Sequence, residues 1–278
     1  MGFYYLGLDE FILGALREDI GTGDITTACC VPGDSESAGS FKAKESGVIC
    51  GLDVTARVFE LLDGRIRVTR LVKEGAFVNA GEYIAEITGP SGSILTGERT
   101  ALNLLQHMSG IATATAKVVA AVAGTGTKII DTRKTTPGLR ALDKYAVRCG
   151  GGSNHRFNLA DGILIKDNHI MAAGSIGEAV RLARAGCPHT LKIEVETETV
   201  EQVEEALAAG ADIVMLDNMS LEMMKQAVRL IGKRALTEAS GNMGDRDLKA
   251  VADTGVDFIS IGALTHSVRA LDISLKFS

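Results

Sequence analysis

The second half of the chain alternates between short apolar runs of strand length and amphipathic segments of helical period. Segments such as "SIGEAVRLARAG" and "TVEQVEEALAAG" repeat their apolar positions at helical spacing, and Gly210 is predicted as the C-cap of the second. A strand, a helix and a strand every 20 to 25 residues predict βαβ units and a parallel sheet. The predicted strands span residues 128–131, 162–166, 191–196, 212–217, 234–239 and 257–262.

The carboxyl ends of these predicted strands favour a barrel over an open sheet. In a TIM-type barrel all the strand ends converge on one mouth, where chemistry is done. An open doubly wound sheet would bind its ligand at a switch point, and no G-x-G-x-x-G follows the first strand. Six strands can be identified, short of the eight of a full barrel, and a TIM-like α/β barrel is favoured. Each strand is expected to end in a polar group or glycine: Asp131, Lys166, Glu196, Asp217, Glu238 and Gly262.

The first part of the chain follows a different pattern. Helical segments "LDEFILGALRED" and "DVTARVFELL" are interspersed with strand-like stretches, which predicts a small α+β domain. The spacing in "VKEGAFVNAGEYIAEITG" is that of a hairpin in lipoyl and biotinyl carriers, but no M-K-M or D-K-A motif is present, which favours a structural hairpin. We expect an N-terminal domain over residues 1–107 and a barrel over 108–278, whose last residues can return to the first domain.

A long helix is predicted over residues 97–124, where apolar positions recur on one face. Its segment "SGIATATA" consists almost entirely of small residues, which permits close approach of another backbone. The spacing leaves two interpretations open: a contact with another subunit or domain, or tight packing within the chain.

Composition excludes several classes of function. The chain has 278 residues, with 29 Lys and Arg against 35 Asp and Glu, and this acidic balance argues against nonspecific nucleic-acid binding. No run of eighteen apolar residues predicts a membrane span. The start of the chain lacks a basic segment before an apolar one, and the five cysteines form no C-x-x-C pair. A cytoplasmic protein with reduced thiols is therefore predicted.

One stretch departs from the acidic balance: "DTRKTTPGLRALDKYAVRCGGGSNHR" carries six Lys and Arg against two Asp. Arg140, Lys144 and Arg148 recur at four-residue intervals, so they repel one another and must face either water or an anion. Five other groups are expected to crowd the barrel mouth, which would be unfavourable without bound anions. They are Arg133, Lys134, His155, Arg156 and Lys166.

Two carboxylates are predicted across the mouth from these cations. Glu196 and Asp217 are suited to Mg²⁺, which takes one or two carboxylates together with substrate phosphates, although salt bridges to the cations are the alternative. Ser240, Gly241 and Gly262 follow the last two strands, where backbone N–H groups commonly bind phosphate. The sequence therefore suggests group transfer between a carboxylated acceptor and a phosphorylated donor.

Several segments resemble the quinolinate phosphoribosyltransferase family in order and spacing. The most specific are "DTRKTTPGLR", "GGGSNHR" and "KDNH", and "EDIGTGDITT", "GERTALNLLQHMSGIATAT" and "EASGNM" agree with them. The resemblance implies an N-terminal open α/β sandwich joined to an incomplete barrel. It also implies transfer of a phosphoribosyl group from phosphoribosyl pyrophosphate to quinolinate with Mg²⁺, giving nicotinate mononucleotide, pyrophosphate and carbon dioxide on the route to NAD.

The resemblance also implies roles for individual residues. Arg133, His155, Arg156 and Lys166 look like the group that grips the quinolinate carboxylates, and Lys134 resembles a lysine that serves the phosphoribosyl substrate. Glu196 and Asp217 resemble the acidic pair on the ribose and Mg²⁺-pyrophosphate side, in contact with the metal directly or through water. Ser240, Gly241 and Gly262 resemble binders of the 5-phosphate. The residues expected to act in catalysis are Lys166, Glu196 and Asp217.

Arg99 resembles the family arginine that reaches the active site of a neighbouring subunit, which implies a homodimer or a larger assembly of dimers. Glu194 competes with Glu196 for the position that points into the mouth. Either Lys166 or His155 is expected nearest the carboxylate that leaves. The alternatives to this function are a nicotinate-using or molybdenum-associated relative on the same scaffold, and an anion-binding or carrier module.

Overall fold

The computed structural model describes residues 5–278, and its contacts divide the chain into two compact units. Within the described range, the first unit combines residues 5–116 with 136–151 and 267–278, and the second combines 117–135 with 152–266. The chain therefore passes from one unit to the other several times. The simple expected boundary between residues 107 and 108 stays a prediction.

The helices that periodicity predicted are present, although the long helix begins six residues before its predicted start at residue 97, and further helices accompany them. In chain order they are α1 (Leu8–Ile20), α2 (Ile25–Cys30), α3 (Leu52–Leu62), α4 (Ser91–Ala121), α5 (Arg140–Cys149), α6 (Asp167–Ala173), α7 (Ile176–Gly186), α8 (Val200–Ala208), α9 (Leu221–Ile231), α10 (Leu248–Ala252) and α11 (Ala263–His266). The C-cap of α8 is Ala209, and not Gly210 as predicted. Gly210 follows it with a φ of 83°, the left-handed conformation that glycine adopts readily after a helix.

The strands are β1 (Glu36–Ala43), β2 (Gly47–Val48), β3 (Arg67–Arg70), β4 (Phe77–Val78), β5 (Tyr83–Pro90), β6 (Lys128–Ile130), β7 (Ile163–Ile165), β8 (Ile193–Thr197), β9 (Ile213–Asp217), β10 (Leu236–Ser240), β11 (Phe258–Ser260) and β12 (Ile273–Phe277). The order β12-β1-β5-β3 forms an antiparallel sheet in the first unit. Because β12 pairs with β1, the C-terminal residues complete the sheet that the N-terminal residues begin.

The small residues of α4 pack within the first unit. A Cβ added to Gly110 would lie 2.2 Å from the carbonyl oxygen of Arg269, and one added to Gly150 would lie 2.4 Å from that of Ala112. Both distances are far below van der Waals contact, so only glycine permits these backbones to approach. This close packing accounts for the small residues without a second subunit.

The second unit is built on six parallel strands in the order β6-β11-β10-β9-β8-β7, which confirms the predicted βαβ pattern. Over residues 5–278 the two edge strands, β6 and β7, do not pair with each other, so the barrel is incomplete. A single parallel bridge between Ile130 and Ser153 extends the edge at β6.

The strands of the second unit present two different faces. Val195, Val214, Ala239 and Ile259 are fully buried in a core that the surrounding helices share. Alternate residues point to the opposite face, and Glu194 and Glu196 are therefore directed to the same interior side of β8. None of the helices over residues 5–278 combines the length and apolar composition that a membrane crossing needs.

Candidate active site at the barrel mouth

Charged side chains meet where β7 and β8 end. Lys166, directly after β7, forms an ion pair through its Nζ with Oε2 of Glu196. Asp217 ends β9, where it pairs in register with Ser240 of β10 and accepts a hydrogen bond of 2.6 Å from Nδ2 of Asn218. Parallel strands bring these ends to one edge of the sheet, which is the predicted mouth.

A buried aspartate holds the glycine-rich segment that carries His155 and Arg156. Asp131 is 0% exposed and accepts hydrogen bonds from the backbone N–H of His155, at 2.8 Å, and from Nδ2 of Asn154, at 2.6 Å. Sequence reasoning noted Asp131 only as a strand end. Its position directly after the three-residue strand β6 gave no indication that it holds Asn154 and His155.

Arg133 and Arg156 share a positively charged environment. Partial burial, and then the nearby positive charge of Arg133, lower the pKa of the Arg156 guanidinium. Nη1 of Arg156 donates to the carbonyl of Gly162 at 3.0 Å, which fixes the orientation of the side chain. Because an arginine stays protonated in proteins, two such groups together are stabilised by an anion between them.

Both ring nitrogens of His155 are engaged within the protein. Its Nδ1 accepts the backbone N–H of Arg156 at 2.7 Å. Its Nε2 lies 3.3 Å from Oε2 of Glu194 and 3.6 Å from Oε2 of Glu238. A backbone amide can only donate, so Nδ1 carries no proton and Nε2 carries the N–H of a neutral ring. We call His155, Glu194 and Glu238 the floor cluster.

The floor cluster contains two nearly inaccessible carboxyl groups. Glu194 is 4% exposed and Glu238 is 3% exposed. Burial, followed by the charge of Glu194, raises the pKa of Glu238 well above its ordinary value. Glu238 is the third of five residues in β10 and not the strand end that the sequence predicted, because the strand continues to Ser240.

Register separates the floor cluster from the mouth. Glu194 pairs with Ile213, the first residue of β9, whereas Glu196 pairs with Met215, two residues closer to the carboxyl end of that strand. A cavity of about 320 Å³ borders Glu194 and Glu238 together with Ile213 and Phe258. Glu196 therefore lies nearer the mouth than Glu194, in agreement with the choice made from the sequence. The catalytic roles of all these residues stay predictions.

Glycines line the other side of the mouth. A Cβ on Gly262 would lie 3.0 Å from Cδ of Lys134, and Oγ1 of Thr265 donates to the Lys134 carbonyl at 2.8 Å. Gly241 has a φ of 92°, and a Cβ there would lie 2.2 Å from Oδ1 of Asn218. Lys134 and Asn218 thus occupy the space that a side chain would need, so only glycine fits at either position.

Glu196 and Asp217 fit a magnesium site by their chemistry. Both are incompletely buried carboxylates, and Mg²⁺ prefers oxygen ligands from one or two carboxylates together with phosphates. The floor cluster does not fit a metal, although its three ligand atoms lie within 4.8 Å of one another. Nε2 of His155 could coordinate only as an imidazolate while Nδ1 accepts a backbone N–H.

The remaining predicted cations lie in the first unit. Arg99 is exposed on α4 and makes no hydrogen bond or ion pair with any residue of the described range. Lys144 is buried at 3% exposure, whereas Arg148 is exposed and lies over the ring of Tyr145, 5.7 Å from its centroid. Lys144 and Arg148 therefore do not form one solvent-facing row.

Two sequence profiles cover most of the chain. The profile described as quinolinate phosphoribosyl transferase, N-terminal domain, matches residues 24–109, and the C-terminal domain profile matches residues 111–276. The chain is 47% identical over 271 residues to the probable nicotinate-nucleotide pyrophosphorylase (carboxylating) of Bacillus subtilis, which covers 98% of this chain and 93% of the relative. It is also 47% identical over 272 residues to the Mycobacterium leprae protein of that name, covering 96% of this chain and 95% of the relative.

Solved structures with the same family names have a similar fold. NadC from Streptococcus pyogenes superposes with a TM-score of 0.93 at 44% identity, covering 100% of this chain and 99% of that one. The Francisella tularensis nicotinate-nucleotide pyrophosphorylase gives a TM-score of 0.94 at 43% identity, covering 98% and 96%. Human nicotinic acid phosphoribosyltransferase, at 14% identity and a TM-score of 0.64, shares the fold alone.

Proposed function

The chain belongs to the quinolinate phosphoribosyltransferase family, and we propose that its barrel mouth binds the two substrates of that reaction side by side. The enzyme transfers the phosphoribosyl group of phosphoribosyl pyrophosphate to quinolinate and releases pyrophosphate and carbon dioxide. The product is nicotinate mononucleotide, a precursor of NAD. The observation that carries the site assignment is the pairing of two guanidiniums, Arg133 and Arg156, in one partly buried place.

Arg133 and Arg156 bind the quinolinate carboxylates in this proposal. Quinolinate is a dianion at neutral pH, and a guanidinium pairs with a carboxylate through two parallel hydrogen bonds that also fix the plane of the ligand. Binding of the dianion relieves the repulsion that lowers the pKa of Arg156. His155 belongs to the same group, but it acts through Arg156, because both of its ring nitrogens are engaged within the protein.

Phosphoribosyl pyrophosphate occupies the other side of the mouth. Ser240, Gly241 and Gly262 receive the 5-phosphate through their backbone N–H groups, and Lys134 adds a positive charge beside Gly262. Glu196 and Asp217 face the ribose and the pyrophosphate, and their oxygens would hold Mg²⁺ directly or through water. When bound there, Mg²⁺ would neutralise charge on the departing pyrophosphate.

Positioning accounts for the first chemical step. The quinolinate nitrogen must lie close to C1 of the ribose as pyrophosphate leaves and positive charge develops there. Holding both reactants in this geometry removes several kcal/mol from the barrier. The carboxylates of Glu196 and Asp217 lie on the side where that positive charge appears, so they stabilise it.

Lys166 serves the decarboxylation. After the ring nitrogen has become cationic, the C–C bond to the adjacent carboxylate breaks, and the nitrogen stabilises the electron pair left on the ring carbon. Nζ of Lys166 then donates the proton that replaces carbon dioxide. This assignment rests on the exposure of the Lys166 side chain, 46%, and on the engagement of His155 elsewhere.

The complete site belongs to a homodimer, or to a larger assembly built from dimers, in this proposal. Arg99 and Leu95 are one helical turn apart on α4, and both are exposed over the described chain. An arginine without a partner beside an exposed leucine suits a subunit interface, where Arg99 completes the neighbouring site. The five cysteines are free, which suits the reducing cytoplasm.

The direct test compares quinolinate and nicotinate as acceptors, each with Mg²⁺ and phosphoribosyl pyrophosphate. We expect nicotinate mononucleotide and carbon dioxide from quinolinate, and little product from nicotinate, because one carboxylate cannot satisfy both guanidiniums. Lys166→Ala should lower kcat even with both substrates saturating. Product from nicotinate alone would refute the substrate assignment, and an unchanged kcat would remove Lys166 from the decarboxylation.

A further inference from the structure

Glu194 and Glu238 are not among the residues predicted to bind quinolinate. Both lie close to His155, which in turn contacts the backbone of Arg156. Glu194 and Glu238 lie on neighbouring positions of the barrel interior, and both direct an oxygen towards Nε2 of His155. The other ring nitrogen of His155 accepts the backbone N–H of Arg156. A continuous series of contacts therefore runs from the barrel floor to the residue that binds quinolinate.

The direction of each hydrogen bond follows from donor chemistry. The amide of Arg156 must donate to Nδ1, so Nε2 of His155 holds the ring proton and donates it to Glu194 at 3.3 Å. Oε2 of Glu238 lies 3.6 Å from the same nitrogen, so two buried carboxyl groups face one edge of the His155 ring.

Ser260 lies close enough to Glu238 to counteract part of the rise in its pKa. Oε1 of Glu194 and Oε1 of Glu238 are buried and accept no hydrogen bond from any residue of 5–278. Removing one member of the cluster would leave a further buried polar group unsatisfied, which is unfavourable. The His155 ring would then be free to rotate, and the backbone at Arg156 would lose its acceptor.

From these contacts we propose that Glu194 and Glu238 are positioning residues for quinolinate: they hold the His155 ring, and the ring holds the Arg156 backbone in its binding orientation. Neither glutamate touches the substrate. The proposal rests on the assignment of Arg156 to quinolinate binding. It gives a reason for two acidic groups beneath a site that binds a dianion, where carboxylates would otherwise weaken binding.

The test uses Glu238, which is remote in sequence from the carboxylates assigned to the metal. Glu238→Leu removes one of the two carboxyl groups beside Nε2 of His155, and we expect the KM for quinolinate to rise about tenfold while the KM for phosphoribosyl pyrophosphate stays unchanged. Glu238→Gln keeps a polar side chain of the same size with an oxygen that can accept from the ring, and it should restore the quinolinate KM. Glu204→Gln, at an exposed position on α8, is the matched control.

Two results would overturn the proposal while the wild-type enzyme remains active on quinolinate. One is an unchanged quinolinate KM in Glu238→Leu, and the other is an equal rise in both KM values, which indicates general damage. An inactive wild-type protein would instead refute the proposed function. These outcomes separate the two claims.

The proposed hydrogen bonding of the His155 ring can also be tested on the folded wild-type protein. This measurement needs neither an activity assay nor a substitution of the glutamates. Nitrogen-15 spectra of the histidine rings should show His155 with a protonated Nε2 and an unprotonated Nδ1. The signal is assigned by its loss in His155→Asn. A ring protonated at Nδ1 would contradict the proposal, because Nδ1 could then not accept from Arg156.

Discussion

Guanidinium geometry, more than charge, is what the site requires of Arg156. The side chain is fixed by the carbonyl of Gly162 and by its backbone contact with His155. Lysine keeps the charge but cannot form two parallel hydrogen bonds with a carboxylate.

Arg156→Lys should therefore raise the KM for quinolinate about tenfold or more and leave that for phosphoribosyl pyrophosphate unchanged. Steady-state kinetics with each substrate varied in turn gives both constants. Arg184→Lys, at an exposed position on α7, is the control. A variant with wild-type quinolinate KM would show that Arg156 does not bind the substrate through a fork of hydrogen bonds.

The raised pKa of Glu238 predicts a pH dependence of stability with a definite sign. The folded protein holds this proton more tightly than the unfolded chain, so the stabilisation is complete at low pH and declines as pH rises above the unfolded pKa. Glu238→Gln cannot lose a proton. Its free energy of unfolding should therefore gain on that of the wild type as pH rises above the pKa of an ordinary glutamate, measured by urea unfolding. A constant difference between the two would show that Glu238 does not titrate differently on folding.

Residue-level roles were harder to predict from sequence than the elements were. The mouth residues Lys166, Glu196 and Asp217 were predictable, because strand ends in a parallel sheet share one edge. The contacts of Asp131 and Glu238 could not be predicted, because they join residues that are distant in sequence. Glu238 was placed at a strand end, and only the alternation of side chains along β10 could have indicated its burial.

Among the elements, α4 depends most strictly on one small residue. Gly110→Ala would place a methyl group 2.2 Å from the carbonyl oxygen of Arg269, so the backbone of one segment must shift. We expect a loss of roughly 1–3 kcal/mol in the free energy of unfolding, as for other overpacked cores.

Gly14→Ala in α1 is the matched control, because nothing lies within 4 Å of the added Cβ. That change should stabilise the protein by about 0.5–1 kcal/mol through helix propensity. Urea unfolding of both variants gives the comparison. Equal effects of the two substitutions would show that Gly110 is not required for close packing.

The proposed homodimer can be tested by mixing two variants that are each inactive alone. If Arg99 completes the neighbouring site, Arg99→Ala and Lys166→Ala protomers each fail alone, but a mixed dimer contains one site with both residues intact. Random exchange of protomers should restore about a quarter of the wild-type activity. Activity assays before and after dissociation and reassociation measure it. No recovery in verified mixed dimers would place Arg99 in its own subunit's site or outside the reaction.

The pairing of β12 with β1 determines when the sheet of the first unit can be completed during synthesis. The sheet of the first unit contains residues from both ends of the chain, so it remains one strand short while the ribosome makes everything between. The six parallel strands of the barrel, by contrast, all lie before residue 266. The strand β1 therefore leaves the ribosome long before its partner, and its sheet is completed only after residues 273–277 have emerged from the exit tunnel.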